Sequence, residues 1–105
     1  MQGLYLRFFT YENRKHKGML LHEWILETAK SLGIPGGSAF RAVAGYGRHH
    51  ILHEEHFYEL SNELPIEVLF VIDKVACDSL IKKIKQEKID VFYAVSAVEY
   101  GNLKD

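Results

Sequence analysis

The chain has 105 residues, of which 48% are hydrophobic and 26% charged, and its formal net charge is −1 at pH 7. This length and composition are typical of a single globular domain and exclude an intrinsically disordered chain. The balanced charge gives no general electrostatic attraction to nucleic acids or to anionic membranes, so we expect neither as a partner.

The sequence predicts a cytoplasmic protein, because it shows no pattern of a targeting signal and has a single cysteine. The N-terminus lacks a basic stretch followed by an unbroken apolar run, so no signal peptide is predicted. No segment approaches the roughly 18 apolar residues of a membrane-spanning helix, so we expect no membrane insertion. The one cysteine, Cys77, has no partner for an internal disulfide, which is typical of proteins from a reducing compartment.

The first half of the chain predicts a strand, a helix and a second strand. Residues 3–11 are rich in aromatic and aliphatic side chains and place Leu4, Leu6 and Phe8 on one face, which predicts a strand. After the charged loop ENRKHKG, residues 19–32 carry apolar side chains at helical spacing and end at Gly33, a typical C-cap residue. A glycine and proline turn then precedes 38–46, the second predicted strand, which ends in a Gly-Tyr-Gly turn.

The second half of the chain repeats this order. Residues 66–73 form an apolar run typical of a buried central strand, residues 75–88 predict a helix with lysines outward, and residues 90–99 alternate as a last strand. With right-handed crossovers, this order predicts an α+β, ferredoxin-like βαββαβ sandwich. Its four-stranded antiparallel sheet would carry two helices on one face, and 1–105 would form one domain.

The second face of the predicted sheet has no helix to cover it. We assign to it the aromatic residues Phe9, Phe40, Phe92 and Tyr93. An exposed apolar patch of this kind usually marks an association surface. The sequence therefore predicts a homo-oligomer in which the sheets pack against each other.

Three stretches resemble, in order and spacing, the PII-like family known as domain of unknown function 190, relatives of the PII nitrogen-regulatory signalling proteins. They are YLRFFTYENRKHKGMLLHEWILETAKSLGI (5–34), IPGGSAFRAVAGYG (34–47) and ELSNELPIEVLFVID (59–73). The resemblance implies a PII-like ferredoxin fold that assembles as a homotrimer. It also implies that the connection 48–64 corresponds to the T-loop, which in PII proteins docks onto target proteins.

The resemblance further implies a regulatory protein that senses a small anionic ligand and acts on a partner such as a membrane transporter. In PII proteins adenine nucleotides bind in clefts between subunits, near the base of the T-loop. The turn Gly45-Tyr46-Gly47 would lie at that cleft. One feature departs from PII: the connection QEKID (86–90) has no glycine, whereas PII proteins hold the nucleotide phosphates with a glycine-rich, basic loop there.

The residues of the turn itself support two interpretations. Gly45 and Gly47 allow the backbone to approach a ligand, Tyr46 lies between them, and the backbone N–H groups of such a turn can hold an anion. Arg48 would add bidentate contacts to a phosphate or carboxylate. The alternative is a simple exit of the chain from the sheet.

A histidine-rich stretch follows this turn and suggests a metal site. If it is helical, His49, His53 and His56 share one face at i, i+4 and i+7, a spacing at which neutral imidazoles bind zinc, nickel or copper. The alternatives are a solvated loop or a pH-sensitive one. The basic run 14–17 likewise either faces an anion or is solvated.

Catalytic and RNA-binding patterns are missing from the sequence. No serine lies in a nucleophile-elbow motif, and Cys77 is typical of a packing residue. The third main strand, IEVLFVID, lacks the basic and aromatic pattern of RNA recognition motifs. We therefore expect a protein that is not an enzyme and binds no nucleic acid, and no particular cofactor is indicated.

Overall fold

The computed structural model describes residues 1–46 and 64–104, and within them the predicted order of elements is present. In chain order the elements are β1 (Gln2–Tyr11), β2 (Lys15–His16), β3 (Met19–Leu20), α1 (Leu21–Ser31), β4 (Ser38–Arg41), β5 (Pro65–Ile72), α2 (Lys74–Gln86) and β6 (Phe92–Glu99). The main sheet has the strand order β4-β5-β1-β6, and each neighbouring pair is antiparallel. This is the ferredoxin-like α+β arrangement expected from the sequence.

The hydrophobic core lies between the sheet and the two helices. Every second residue of β1 and β5 points into it, which is why Leu6, Phe8, Val68 and Phe70 are fully buried. The rings of Phe8 and Phe70 meet edge to face, with centroids 6.4 Å apart. Both helices complete this core with apolar side chains: Leu21, Ile25 and Ala29 from α1, and Cys77, Leu80 and Ile84 from α2.

The helix α1 starts later than predicted because a small hairpin precedes it. Strands β2 and β3 pair through residues for which the sequence pattern predicts a charged loop and the first helical turn. Lys17 and Gly18, with φ angles of 52° and 80°, form the tight connection between these strands. A left-handed lysine is uncommon, so the local sequence gives little indication of this turn.

The strand β4 is shorter than predicted, because its pairing partner begins at Pro65. Arg41 pairs with Ile66, and the Ala42 N–H still donates to the Pro65 carbonyl at 2.9 Å. Proline has no N–H to continue the ladder, so strand pairing ends there. Residues 42–46 therefore leave the sheet rather than extend it.

The helix α2 has a side-chain cap at its start and a sharp turn at its end. The carboxylate of Asp73 accepts a hydrogen bond from the Ala76 N–H at 2.8 Å, which satisfies one of the unpaired donors of the first turn. At the other end Lys88 has a φ angle of 59°, and the Ile89 N–H donates to the Ile84 carbonyl. No helix in the described residues is long and apolar enough to cross a membrane.

The face opposite the helices, called the open face below, carries aromatic side chains as expected, with one correction. Phe9 and Phe92 are paired on it with ring centroids 5.6 Å apart, and Phe40 lies at its edge strand. Tyr93 was wrongly assigned to this face. It is opposite Phe8 in the register and therefore points to the helix side, because neighbouring residues of a strand face opposite ways.

Candidate functional site

The predicted ligand turn begins at the end of the sheet where β4 ends and β5 begins. Gly45 lies against Pro65, since a β-carbon built at position 45 would be 3.2 Å from the Pro65 Cγ. Its φ angle is not in the left-handed region, so glycine is favoured here by this close approach. The next residue, Tyr46, is 87% exposed and presents its ring to solvent.

The remaining predicted site residues lie outside the described part of the chain. These are Gly47, Arg48, His49, His53 and His56, and most of the T-loop-like connection 48–64 lies there with them. Their roles in ligand or metal binding stay predictions. Among the described residues there is no group of three or more histidine, cysteine or acidic side chains that could hold a metal ion.

A charged pair that the sequence reasoning missed lies at the same end of the sheet as the turn. The Arg41 Nη2 atom is 2.5 Å from the Glu12 Oε2 atom, and the Glu12 N–H donates to the Leu64 carbonyl at 3.0 Å. The guanidinium is largely exposed and has five N–H donors, of which one carboxylate uses only part. Arg41 can therefore contact an anion near the base of the segment that follows Tyr46.

A second polar cluster ties the small hairpin to the end of α2. The His16 Nε2–H donates to the Glu87 Oε1 atom at 2.9 Å, the Lys17 Nζ atom is 3.0 Å from the same oxygen, and the Lys83 Nζ atom is 4.0 Å from Oε2. Hydrogen bonds from His16 and Lys17 lower the pKa of the Glu87 carboxyl. The imidazole also meets the Trp24 ring edge to face, with centroids 5.0 Å apart.

This cluster accounts for two residues of the basic run 14–17. His16 and Lys17 face an anion, but that anion is the protein's own Glu87 rather than a ligand. Glu87 also belongs to the connection between α2 and β6, where PII proteins carry their phosphate loop. Here Lys88 and Ile89 form a tight turn, so this connection offers no extended loop.

The thiol of Cys77 is a packing group. The residue is buried in the core, with a relative exposure of 2%. Burial, and secondarily the charge of Asp78, raise the pKa of the Cys77 thiol, so the reactive thiolate is disfavoured. The start of α2 therefore carries no activated nucleophile at this position.

Comparison with other sequences identifies relatives along nearly the whole chain. The sequence profile of the family DUF190 (Uncharacterized ACR) matches residues 3–100. The UPF0166 protein of Aquifex aeolicus (strain VF5) is 31% identical over 80 residues, which are 76% of this chain and 76% of that protein. A match of this extent shows common family membership.

Comparison with solved structures shows the same fold in PII-like proteins. The crystal structure of a PII-like signaling protein (TTHA0516) from Thermus thermophilus has a TM-score of 0.66 at 16% identity, over 93% of this chain and 88% of that one. CPII, a nitrogen regulatory PII-like protein from Thiomonas intermedia K12 solved with ADP, AMP and bicarbonate, has a TM-score of 0.60 at 14% identity, over 97% and 96%. The chain therefore belongs to the DUF190 family and has the fold of PII-like signalling proteins.

Proposed function

We propose that this protein is a cytoplasmic PII-like regulator that assembles as a homotrimer. It would bind a small anionic ligand between its subunits, and an adenine nucleotide is the ligand to test first. Ligand binding would change how the connection 48–64 acts on a protein partner such as a membrane transporter, without a catalytic step. One observation carries this proposal. The fold is shared over 97% of the chain with CPII, a regulatory protein whose structure holds ADP, AMP and bicarbonate.

The open face of the sheet supports the assembly. Phe40 and Phe92 are 55% and 52% exposed, and Leu69 and Val71 of β5 lie on the same face. Removing apolar surface from water stabilises by about 25 cal/mol per Å². A second copy that covers this face would therefore be stabilised by burying side chains that the single chain leaves exposed. A domain of this size also has a limited core and gains stability by association.

The end of the sheet that carries Gly45 and Tyr46 supports the ligand site. An aromatic ring that is almost fully exposed can stack on a nucleobase, and Arg41 at the same end supplies cationic donors. Arg48, two residues beyond Tyr46 in the sequence, would add a second guanidinium. In this proposal these two arginines replace the phosphate loop that the tight turn after α2 does not provide.

Thermal unfolding with a panel of ligands tests the proposal. ADP, AMP, ATP and bicarbonate would each be added to metal-stripped protein, and a ligand at 100 times its dissociation constant should stabilise by about 2.7 kcal/mol. We expect a nucleotide to raise the melting temperature, and Arg48→Ala and Tyr46→Ala to reduce that rise at least severalfold. Lys82→Ala, on the exposed side of α2, is the matched control and should respond like the wild type.

The outcomes separate the parts of the proposal. A nucleotide shift that persists in both Tyr46→Ala and Arg48→Ala would contradict the assigned site but not the sensor function. No shift with any nucleotide or with bicarbonate would contradict ligand sensing itself. The protein would then act through docking alone.

A metal-responsive trimer is the second candidate function, and the spacing of His49, His53 and His56 favours it. Equilibrium dialysis with zinc, nickel and copper measures the metal retained per chain. If these histidines form the site, we expect the wild-type protein to retain metal and His53→Ala to abolish this retention. Absence of any retained metal in the wild-type protein rules this candidate out.

A further inference from the structure

We propose that Arg7 and Glu67 form a polar pair that becomes buried between copies of this chain and limits their assembly to one stoichiometry. This inference rests on the proposed assembly through the open face and adds the residues that give it specificity. Among the described residues, this is the one ion pair on the strands of the open face, where its direct neighbours are Leu69, Ala94, Phe9 and Phe40.

The position of the pair follows from the strand register. Arg7 lies on the central strand β1, opposite Leu69, and Glu67 lies opposite Phe9 on one side and Phe40 on the other. The Arg7 Nε atom is 3.6 Å from the Glu67 Oε2 atom. Both charges are therefore enclosed by apolar and aromatic neighbours within the sheet face.

The pair is only partly satisfied within one chain. At 3.6 Å the contact is longer than a hydrogen bond, and the two side chains remain 41% and 34% exposed. The guanidinium carbon of Arg7 lies 4.6 Å from the centre of the Tyr5 ring, a cation–π contact between two residues of the same face. Arginine has five donors in a planar fork, so this geometry leaves donors directed away from Glu67.

A second copy of this chain fits this face better than an unrelated charged partner. The face carries one positive and one negative group, so two copies can meet without net repulsion and can exchange contacts between Arg7 and Glu67. Three strands of about eight residues and one of four cover roughly 450 Å² at ordinary strand spacing. That footprint is a little over half of the roughly 800 Å² per partner of a standard interface, so this face would supply the central part of such an interface.

The energetics explain why such a pair selects an arrangement rather than simply strengthening it. A charge buried without its partner is strongly destabilising, whereas replacing both charges with apolar groups is often neutral or stabilising. Arrangements that separate Arg7 from every carboxylate are therefore disfavoured. The surrounding apolar residues tolerate several relative orientations, and the polar pair permits few of them.

Native mass spectrometry and sedimentation of four proteins test this inference: the wild type, Arg7→Met, Glu67→Met and the double variant. We expect each single variant to weaken assembly at least tenfold, because it leaves one buried charge without its partner. The double variant should regain wild-type affinity within about threefold, yet populate more than one stoichiometry. Lys82→Met removes a charge from the helix side and should change neither quantity.

The alternative results are distinguishable. If the wild type assembles and the single variants match it, or if their effects simply add in the double variant, the inference is wrong while the proposed assembly stands. A double variant with a single stoichiometry likewise refutes the selecting role. A wild type that stays monomeric at high micromolar concentration refutes the assembly and the inference together. Circular dichroism of the variants at monomeric concentration separates these results from a loss of folding.

Discussion

The two faces of the sheet are formed by the same four strands, but only one face is covered by helices. On the helix side, Leu6, Phe8 and Phe70 are fully buried against the helices. On the open face, Phe40 and Phe92 remain about half exposed although they belong to the strands next to β5 and β1. The comparison shows that residue type alone does not decide burial. The apolar residues that the chain leaves uncovered mark the face proposed for association.

Truncation of paired phenylalanines on the two faces tests this comparison with the largest expected effect. Phe8→Ala should lower the free energy of unfolding by about 3–5 kcal/mol, because it leaves a cavity in the core. Phe9→Ala, the next residue on the same strand, should cost the isolated chain much less and should weaken assembly instead. Denaturant unfolding at low protein concentration, with sedimentation at high concentration, measures both. Equal losses of folding stability would contradict the distinction between the faces.

A pair of adjacent glycines sharpens the account of the covered face. A β-carbon at Gly37 would lie 2.3 Å from the Phe70 ring, whereas one at Gly36 would meet nothing within 4 Å. We expect Gly37→Ala to destabilise by about 1–3 kcal/mol through overpacking. The matched variant Gly36→Ala should be neutral or slightly stabilising, since it restricts the unfolded chain. Similar melting temperatures for the two variants would show that the packing of Phe70 against this turn is not as described.

The smallest expected effect concerns the polar cluster that joins the hairpin to α2. Hydrogen bonds from His16 and Lys17 lower the pKa of Glu87, so ionised Glu87 stabilises the fold. That contribution is fully present above the ordinary glutamate pKa of about 4.3 and is lost as the pH falls through the lowered folded-state pKa. Glu87→Gln should therefore be less stable than the wild type at pH 7, and the difference should shrink toward pH 3. Unfolding curves across this range measure it, and a constant difference would contradict the assigned cause.

The sequence predicts the main elements because their physical signals are local. The alternation of β1 identifies Leu6 and Phe8 as one face, and the apolar run of β5 identifies a central strand. The same alternation puts Tyr93 and Phe92 on different faces of β6, although both are aromatic. The hairpin before α1 was missed because Lys17 is not a typical left-handed turn residue.

The candidate site was harder to predict because its contacts join distant residues. His16 and Glu87 are separated by 71 positions, so no local pattern connects them. Arg41 and Glu12 likewise meet only because β4, β5 and β1 are adjacent in the sheet. The Gly-Tyr-Gly-Arg motif did identify one end of the sheet, and the roles of Gly47 and Arg48 stay predictions because both lie outside the described residues.

Native mass spectrometry of the wild-type protein with and without ADP tests the central claim most directly. It measures the number of chains and the number of bound nucleotides in the same species. The proposed function predicts three chains with up to three ADP molecules, since each cleft between subunits would hold one. A protein that remains a single chain and binds no ADP would contradict the account.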